Sequence, residues 1–309
     1  MPAVAWTTPR AWGTLCVRAH REGRGTMAIR CVVLDFDGTF TDVAAEGAPF
    51  VKHFRQRLSD VLGRDVGEAG WDEVEAEVSS SNEEHGWEVG GRTVAPATAD
   101  PFLLSNFVAR RLCDRLGVLT DIPERVALLD TLYREAYAQV GVAFKPEAKE
   151  VLEALLETGL PVTVVTNAHT ETVEAKLTKL APRGRERLRV SGNARKFLIE
   201  PASAPDAAFG ALPETVKVDA LVRPVYLRRG RYYDALRRIW TETGTSPETT
   251  LVAGDIYELD LAMPAALGAQ VQYVMRKNPL EYERRAIAAL GARGGMDPSL
   301  RAILPRLKG

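Results

Sequence analysis

Short apolar runs rich in β-branched residues alternate with amphipathic helical patterns over most of this chain. The runs cover residues 29–36, 160–165, 188–190, 220–227, 250–253 and 269–274, with a further candidate at 196–199. The helical patterns cover residues 145–158, 170–180 and 231–243. Parallel strands need long crossovers, and crossover helices then cover both faces of a sheet. The alternation therefore predicts an α/β fold with a Rossmann-like, doubly wound parallel sheet.

One interval breaks this alternation. Residues 50–139 contain no comparable apolar strand and show mostly helical patterns. Residues 63–99 are polar and rich in Glu, Ser and Gly, which favours short helices and loops. We therefore predict that an α-helical segment, residues 43–143, is inserted into an α/β core formed by residues 28–42 and 144–309.

The residues before the first apolar run follow neither pattern. They are rich in Arg and contain a single acidic residue, Glu22. Acid-poor, Arg-rich leaders are also typical of targeting arms, but no apolar segment accompanies this one. We predict a dispensable, disordered extension over residues 1–27, with a true start at Met27 as an equivalent explanation and a targeting arm as the alternative.

Charge and cysteine content limit the classes of partner. The 40 basic and 41 acidic side chains give a formal net charge of -1, so no surplus positive charge favours nucleic acid or an anionic membrane. No stretch approaches the roughly 18 to 20 apolar residues that span a bilayer. Cys16, Cys31 and Cys113 lie far apart, and an odd, small number is typical of a reducing compartment. We predict a cytoplasmic protein; its oligomeric state stays open.

Carboxylates follow two of the apolar runs, where the predicted strands end. Asp35 and Asp37 are two residues apart, which would direct both side chains to one face of a strand. Asp255 follows Gly254 after the fifth run, and Asp260 lies five residues further on. Ligands of open α/β sheets collect at the carboxyl ends of strands, and oxygen-only ligands suit Mg²⁺. We therefore predict a magnesium site at Asp35, Asp37, Asp255 and Asp260.

A hydroxyl and an amide follow the second run. Thr166 ends that run and Asn167 comes next, shortly before the helical pattern that begins at Thr170. The Thr166 hydroxyl, the following N–H groups and the positive end of this helix would together hold a phosphoryl oxygen. Thr166 and Asn167 are therefore predicted to bind substrate phosphate.

These segments resemble the motifs of the haloacid dehalogenase superfamily. DFDGTF at residues 35–40 resembles the first motif, VVTNA at 164–168 the second and GDIYELD at 254–260 the fourth. The resemblance covers about residues 28–280 and implies a Rossmann-like core with a phosphatase-like, magnesium-dependent chemistry. It also implies an aspartyl-enzyme intermediate and a cap domain placed after the first motif.

The resemblance further implies a role for each matched residue. Asp35 would be the nucleophile and Asp37 the general acid/base. Asp255 would hold Mg²⁺ with support from Asp260, and Thr166 would bind the transferring phosphoryl group. Family members that act on carbon–halogen bonds lack the second aspartate, so Asp37 argues against dehalogenation.

The third motif of the family, a Lys and occasionally an Arg, has no clear match. Arg229 and Arg231 are the first choices for a catalytic cation because they follow the fourth run, and Arg223 is the next. Lys196, within GNARKF, is the nearby lysine of similar character and a candidate substrate ligand. An arginine would supply the same charge through a fork that suits phosphate oxygens.

Together these patterns predict a magnesium-dependent phosphatase of small phosphorylated metabolites that acts through an aspartyl phosphate. Closure of an inserted cap over a small substrate would exclude water until the site is assembled. A phosphotransferase or phosphomutase on the same core is the first alternative. A catalytically silent binding protein that keeps the fold is the second, and the intact carboxylate set weighs against it.

Overall fold

The computed structural model describes residues 27–81 and 85–308, so the predicted extension at residues 1–27 lies outside it except for Met27. The described residues form ten β-strands: β1 (Cys31–Leu34), β2 (Gly86–Val89), β3 (Arg92–Pro96), β4 (Val162–Val165), β5 (Leu188–Ser191), β6 (Thr215–Val216), β7 (Val225–Tyr226), β8 (Thr250–Gly254), β9 (Gln270–Val274) and β10 (Gly294–Asp297).

They also form eleven α-helices: α1 (Val43–Leu62), α2 (Trp71–Ser80), α3 (Pro101–Leu116), α4 (Ile122–Tyr137), α5 (Ala148–Glu157), α6 (Thr170–Leu180), α7 (Ala207–Ala211), α8 (Gly230–Thr243), α9 (Ala262–Ala266), α10 (Glu281–Ala288) and α11 (Ile303–Arg306). Among these described helices, none is long and apolar enough to cross a membrane.

Six parallel strands form the central sheet in the order β10-β9-β8-β1-β4-β5. From β1 the chain first adds strands on one side and later on the other, so the strand order reverses at β1. Such a reversal opens a crevice at the carboxyl ends of the strands, where α/β proteins bind ligands. Leu34 pairs with Val164 of β4 and Ala253 of β8, so the residues that follow these three strands lie at one edge.

Apolar layers cover both faces of this sheet. Val32 and Leu34 of β1 pack on one face with α5 and α6, whereas Val33 packs on the opposite face with α8 and α10. Burial of both faces explains why these strands form continuous apolar runs in the sequence. The prediction of a doubly wound α/β core is confirmed.

The insertion, residues 43–143, leaves the sheet after β1 and returns before α5. Thr41 and Phe144 pair where the chain leaves and returns. Helices α1 to α4 enclose a separate apolar core. That core contains a group of aromatic rings in mutual contact: Phe50, Phe54, Trp71, Phe102 and Tyr133.

The prediction that residues 63–99 form short helices and loops is wrong in part, because this segment also contains two strands. Strands β2 and β3 form an antiparallel hairpin joined by Gly90 and Gly91, both with positive φ. Two-residue hairpin turns favour such conformations, which glycine adopts without strain. The short, partly polar strands gave little signal, but the Gly-Gly pair is a hairpin turn signal that could have revealed them.

Two predictions of core strands also differ from the structure. Residues 220–227 contribute only β7, which pairs with β6 outside the central sheet, and Pro224 before it lacks the N–H that a ladder needs. Residues 196–199 form a turn and loop instead of a strand. Conversely, β10 at the edge of the central sheet was not predicted, because its Gly-Gly start carries no β-branched signal.

Candidate active site

Three aspartates converge at the carboxyl ends of β1 and β8. The Asp35 N–H donates a hydrogen bond to the carbonyl of Ala253 at 2.8 Å, which sets Asp35 beside the end of β8. Carboxylate oxygens of Asp35, Asp255 and Asp260 lie within 4.8 Å of one another. These residues are 8%, 1% and 3% exposed, respectively. We call them the aspartate cluster.

Two glycines permit this close approach. Gly38 has a φ of 82°, and a Cβ added there would lie 2.4 Å from Oδ2 of Asp255. A Cβ on Gly254 would lie 2.5 Å from the Cβ of Asp260. A side chain at either position would displace the carboxylates, so space requires both glycines, and Gly38 is also required by its positive φ.

Lys196 provides the cation of the cluster. Its Nζ lies 2.7 Å from Oδ1 of Asp35 and 2.8 Å from Oδ1 of Asp260, and the residue is 1% exposed. Burial alone would lower the pKa of Lys196, but Asp260 and Asp35 raise it above its ordinary value. Lys196 therefore stays an ammonium that draws two buried carboxylates together.

The structure corrects the ranking of the arginines that were considered for this position. The buried Arg229 guanidinium donates to the carbonyls of Lys196 and Val94 at 2.6 and 3.0 Å, so it supports the lysine instead of facing the aspartates. The half-exposed Arg231 pairs with Glu200.

Arg223 is likewise directed elsewhere. It forms two hydrogen bonds with Glu258, at 2.7 and 2.6 Å. The choice between these arginines and Lys196 failed because position along the chain does not reveal which way a loop residue points.

Thr39 belongs to the site but was not predicted. Its hydroxyl donates to Oδ2 of Asp35 at 3.0 Å and lies 3.5 Å from Oδ1 of Asp255. Asp35 thus receives one hydrogen bond on each carboxylate oxygen, from Lys196 and from Thr39, which fixes its orientation. The hydroxyl of the first motif was the signal that could have identified this residue.

Thr166 and Asn167 lie at the same edge of the sheet, beyond the end of β4. The Thr166 hydroxyl accepts the N–H of Ala168 at 3.2 Å, and the residue is buried. Oδ1 of Asn167 accepts the N–H of Lys196 at 2.7 Å. Asn167 therefore holds the loop that carries Lys196.

Asp37 is not a member of the aspartate cluster, although it was predicted as a metal ligand with Asp35. Strand β1 ends at Leu34 and residues 37–40 form a turn, so the alternation that was expected to align the two side chains no longer applies. The Asp37 carboxylate instead accepts a hydrogen bond from Nζ of Lys176 at 2.7 Å. Asp37 is partly exposed at the edge of the site.

The charge of the cluster fits a divalent cation. Burial raises the pKa of Asp35 to about 7 even though Lys196 lowers it, and burial together with Asp35 and Asp260 raises the pKa of Asp255 well above its ordinary value. The Lys196 ammonium contacts two of the three carboxylates, those of Asp35 and Asp260, so the cluster retains unbalanced negative charge when all three are ionised. Carboxylate oxygens are the donors that Mg²⁺ takes, so Asp35, Asp255 and Asp260 suit this ion.

The parallel sheet and the aspartate cluster at its switch point define a Rossmann-like α/β protein with an acidic cluster where such folds bind ligands. The sequence model described as "haloacid dehalogenase-like hydrolase" matches residues 29–268. The chain belongs to this family of hydrolases, as its motifs predicted. A search of the curated proteins found no match.

Solved structures support the fold assignment. A predicted phosphoglycolate phosphatase from Haemophilus somnus 129PT is 17% identical with a TM-score of 0.52, over 91% of this chain and 99% of that one. The putative HAD-hydrolase YfnB from Bacillus subtilis, bound to magnesium, is 15% identical with a TM-score of 0.50, over 92% and 100% of the two chains. At these identities the similarity establishes the fold.

Proposed function

We propose that this hydrolase is a magnesium-dependent phosphatase of small phosphorylated metabolites, with Asp35 as its nucleophile. The observation that carries the proposal is the aspartate cluster joined to Lys196. A carboxylate nucleophile must approach a phosphate dianion against charge repulsion, and this site concentrates an ammonium and a set of cation ligands around that carboxylate.

Asp35, Asp255 and Asp260 would hold the ion. Bound Mg²⁺ would supply positive charge that offsets the repulsion between the phosphate and the carboxylates. Lys196 and Thr39 orient the Asp35 carboxylate so that one oxygen attacks phosphorus and the ester oxygen leaves. An aspartyl phosphate then links Asp35 to the phosphoryl group, while Thr166 and the N–H groups beyond β4 receive the remaining phosphoryl oxygens.

Asp37 would move the protons. It protonates the departing ester oxygen and afterwards takes a proton from the water that attacks the aspartyl phosphate. Its place beside the aspartate cluster, and its partial exposure, suit a group that meets both substrate and water. This second aspartate also favours phosphate esters over carbon–halogen bonds as substrates.

A cleft of about 1370 Å³ offers room for the rest of the substrate. It lies between α1 of the insertion and the residues that follow β9, and it reaches Gly38 beside the aspartate cluster. Lys52, Lys145 and Lys277 line it, which suits an anionic substrate. In this proposal the insertion is the cap that closes over the site.

A panel of phosphate esters and 2-haloacids, assayed with Mg²⁺ and with a chelator, tests the proposal. We expect phosphate release that requires Mg²⁺ and is lost in Asp35→Asn, with no halide release. Equal phosphate release by Asp35→Asn would refute the mechanism. Phospho-enzyme that transfers its phosphoryl group to a second substrate faster than to water would favour the phosphotransferase alternative. Binding of esters without turnover would favour the silent protein.

A further inference from the structure

Lys176 connects the proposed acid/base to the insertion. It lies on α6, and its Nζ is 2.7 Å from Oδ1 of Asp37 and 3.3 and 3.4 Å from the two oxygens of Glu46. Glu46 lies in the first turn of α1, so one ammonium serves carboxylates from the core and from the insertion. An ammonium has three donors and no acceptor, which allows it to hold both groups at once.

Glu46 is fixed at the two junctions of the insertion. It is 3% exposed, and its Oε1 accepts the N–H of Ala143, the last residue of the insertion, at 3.2 Å. The N–H of Asp42 in turn donates to the carbonyl of Ala143 at 2.8 Å. Glu46 therefore contacts the returning chain while it lies on the departing helix, so it joins both ends of the insertion.

Asp37 depends on Lys176 for its orientation. Among the described residues, the Lys176 ammonium is the one hydrogen-bond donor to the Asp37 carboxylate. Asp35, by contrast, is held by both Lys196 and Thr39. The proposed nucleophile is thus fixed by the core, whereas the proposed acid/base is fixed by a residue that it shares with the insertion.

We infer that Lys176 is a positioning residue that orients Asp37 only while Glu46 is seated against it. Movement of the insertion that withdraws Glu46 frees Lys176 to shift, and Asp37 loses its fixed direction. Proton transfer then requires a seated insertion, whereas the nucleophile is always in place. This inference rests on the proposed function for its catalytic part and on the geometry of Lys176 alone for its structural part.

A double-mutant cycle on kcat tests the catalytic part. Lys176→Met should lower kcat about 10- to 100-fold with little change in KM, because misplacement of a reacting group by about 1 Å has effects of this size. Glu46→Gln should lower kcat less, and the double variant should match Lys176→Met because Glu46 acts through the lysine. Lys176→Arg should recover part of the loss, and Lys179→Met, an exposed lysine on the same helix, should change nothing.

The inference would be overturned if the fold-decreases in kcat of the two single variants multiplied in the double variant. It would also be overturned if the kcat of Lys176→Met lay within twofold of the parent. Hydrogen exchange over residues 40–47 and 141–146 tests the structural part without any assay of activity. Lys176→Met should speed exchange there relative to Lys179→Met, because Glu46 loses its partner beside the Ala143 N–H. Unchanged exchange would overturn the inference even if no phosphate ester proved to be a substrate, a result that would separately refute the proposed function.

Discussion

The core around the aspartate cluster and the insertion are held together by different kinds of interaction. Around the aspartate cluster the core buries charge against charge, at the tips of strands held in a six-stranded sheet. The insertion instead packs aromatic rings, with Phe50 and Phe54 stacked at 5.6 Å and Trp71 edge-on at 6.3 Å. Between the described residues of the insertion and of the core, polar contacts include those at Glu46 and Val94. Substitutions that lower catalytic activity should therefore differ from those that lower the stability of the insertion.

Lys196→Met should show the largest effect, a loss of activity of about 10³-fold, because it removes the ammonium that balances buried carboxylates. Arg231→Met is the matched control, since its half-exposed pair with Glu200 should contribute little. Steady-state kinetics on one substrate with Mg²⁺ compares them. Similar losses in both variants would remove the distinction between the lysine and the arginines.

Phe54→Ala should destabilise the protein by about 3–5 kcal/mol, since it empties space in a core of aromatic rings. Val61→Ala, on the exposed side of the same helix, should change stability by less than about 0.5 kcal/mol. Denaturant unfolding measures both. Because the insertion and the core have separate apolar cores, Mg²⁺ should stabilise Phe54→Ala at low temperature as much as it stabilises the parent protein. If Mg²⁺ no longer stabilised the variant, the insertion would be shown to support the metal site.

Mg²⁺ should raise the Tm by about 5 °C at pH 8 and much less at pH 5. The raised pKa values of Asp35 and Asp255 mean that the metal-free folded state binds more protons than the unfolded state between about pH 4 and 7. Without Mg²⁺, the contribution of these two groups to the free energy of unfolding therefore falls as pH rises through this window. Bound Mg²⁺ would offset that loss. Asp255→Asn should abolish the shift, and an equal shift at both pH values would contradict the assignment.

Asp100→Asn in the insertion should have the smallest effect, a gain of about 1 kcal/mol at pH 8. Asp100 caps α3, and burial raises its pKa to about 6 although two backbone N–H groups lower it. Because its pKa is raised in the folded state, ionisation of Asp100 costs stability at pH values above its ordinary pKa, and asparagine keeps the capping oxygen without the charge. Denaturant unfolding at pH 4 should show no gain in the stability of Asp100→Asn. A loss of stability at pH 8 would contradict this prediction, because it would show that the ionised carboxylate stabilises the folded protein.

Residues at the ends of parallel strands could be predicted from the sequence. Asp35, Asp255 and Thr166 each lie where an apolar run ends, and parallel strands bring their carboxyl ends to one edge, so their proximity could be inferred. Lys196 could not be ranked by that rule. It follows a loop with left-handed Asn193 and Arg195, and its direction depends on Asn167 from another strand end.

Asp37 and the hairpin show the same limit. The alternation rule held only while β1 lasted, and the turn after Phe36 directed Asp37 towards α6 instead of the cluster. The hairpin strands are short and bury only part of their side chains, so they left no clear periodicity. Local pattern predicted five of the six strands of the central sheet, whereas contacts between distant segments decided where Lys196 and Asp37 point.

The bonds of Arg229 have a consequence for chimeric proteins. Its guanidinium donates to carbonyls of Lys196 and Tyr226 in the core and of Val94 in the hairpin, with no exposed surface. A graft that replaces the whole insertion removes the Val94 acceptor. It leaves a buried N–H group of Arg229 unpaired beside the loop that carries Lys196. A graft that retains β2 and β3 keeps that acceptor, so the hairpin belongs with the core when domains are exchanged.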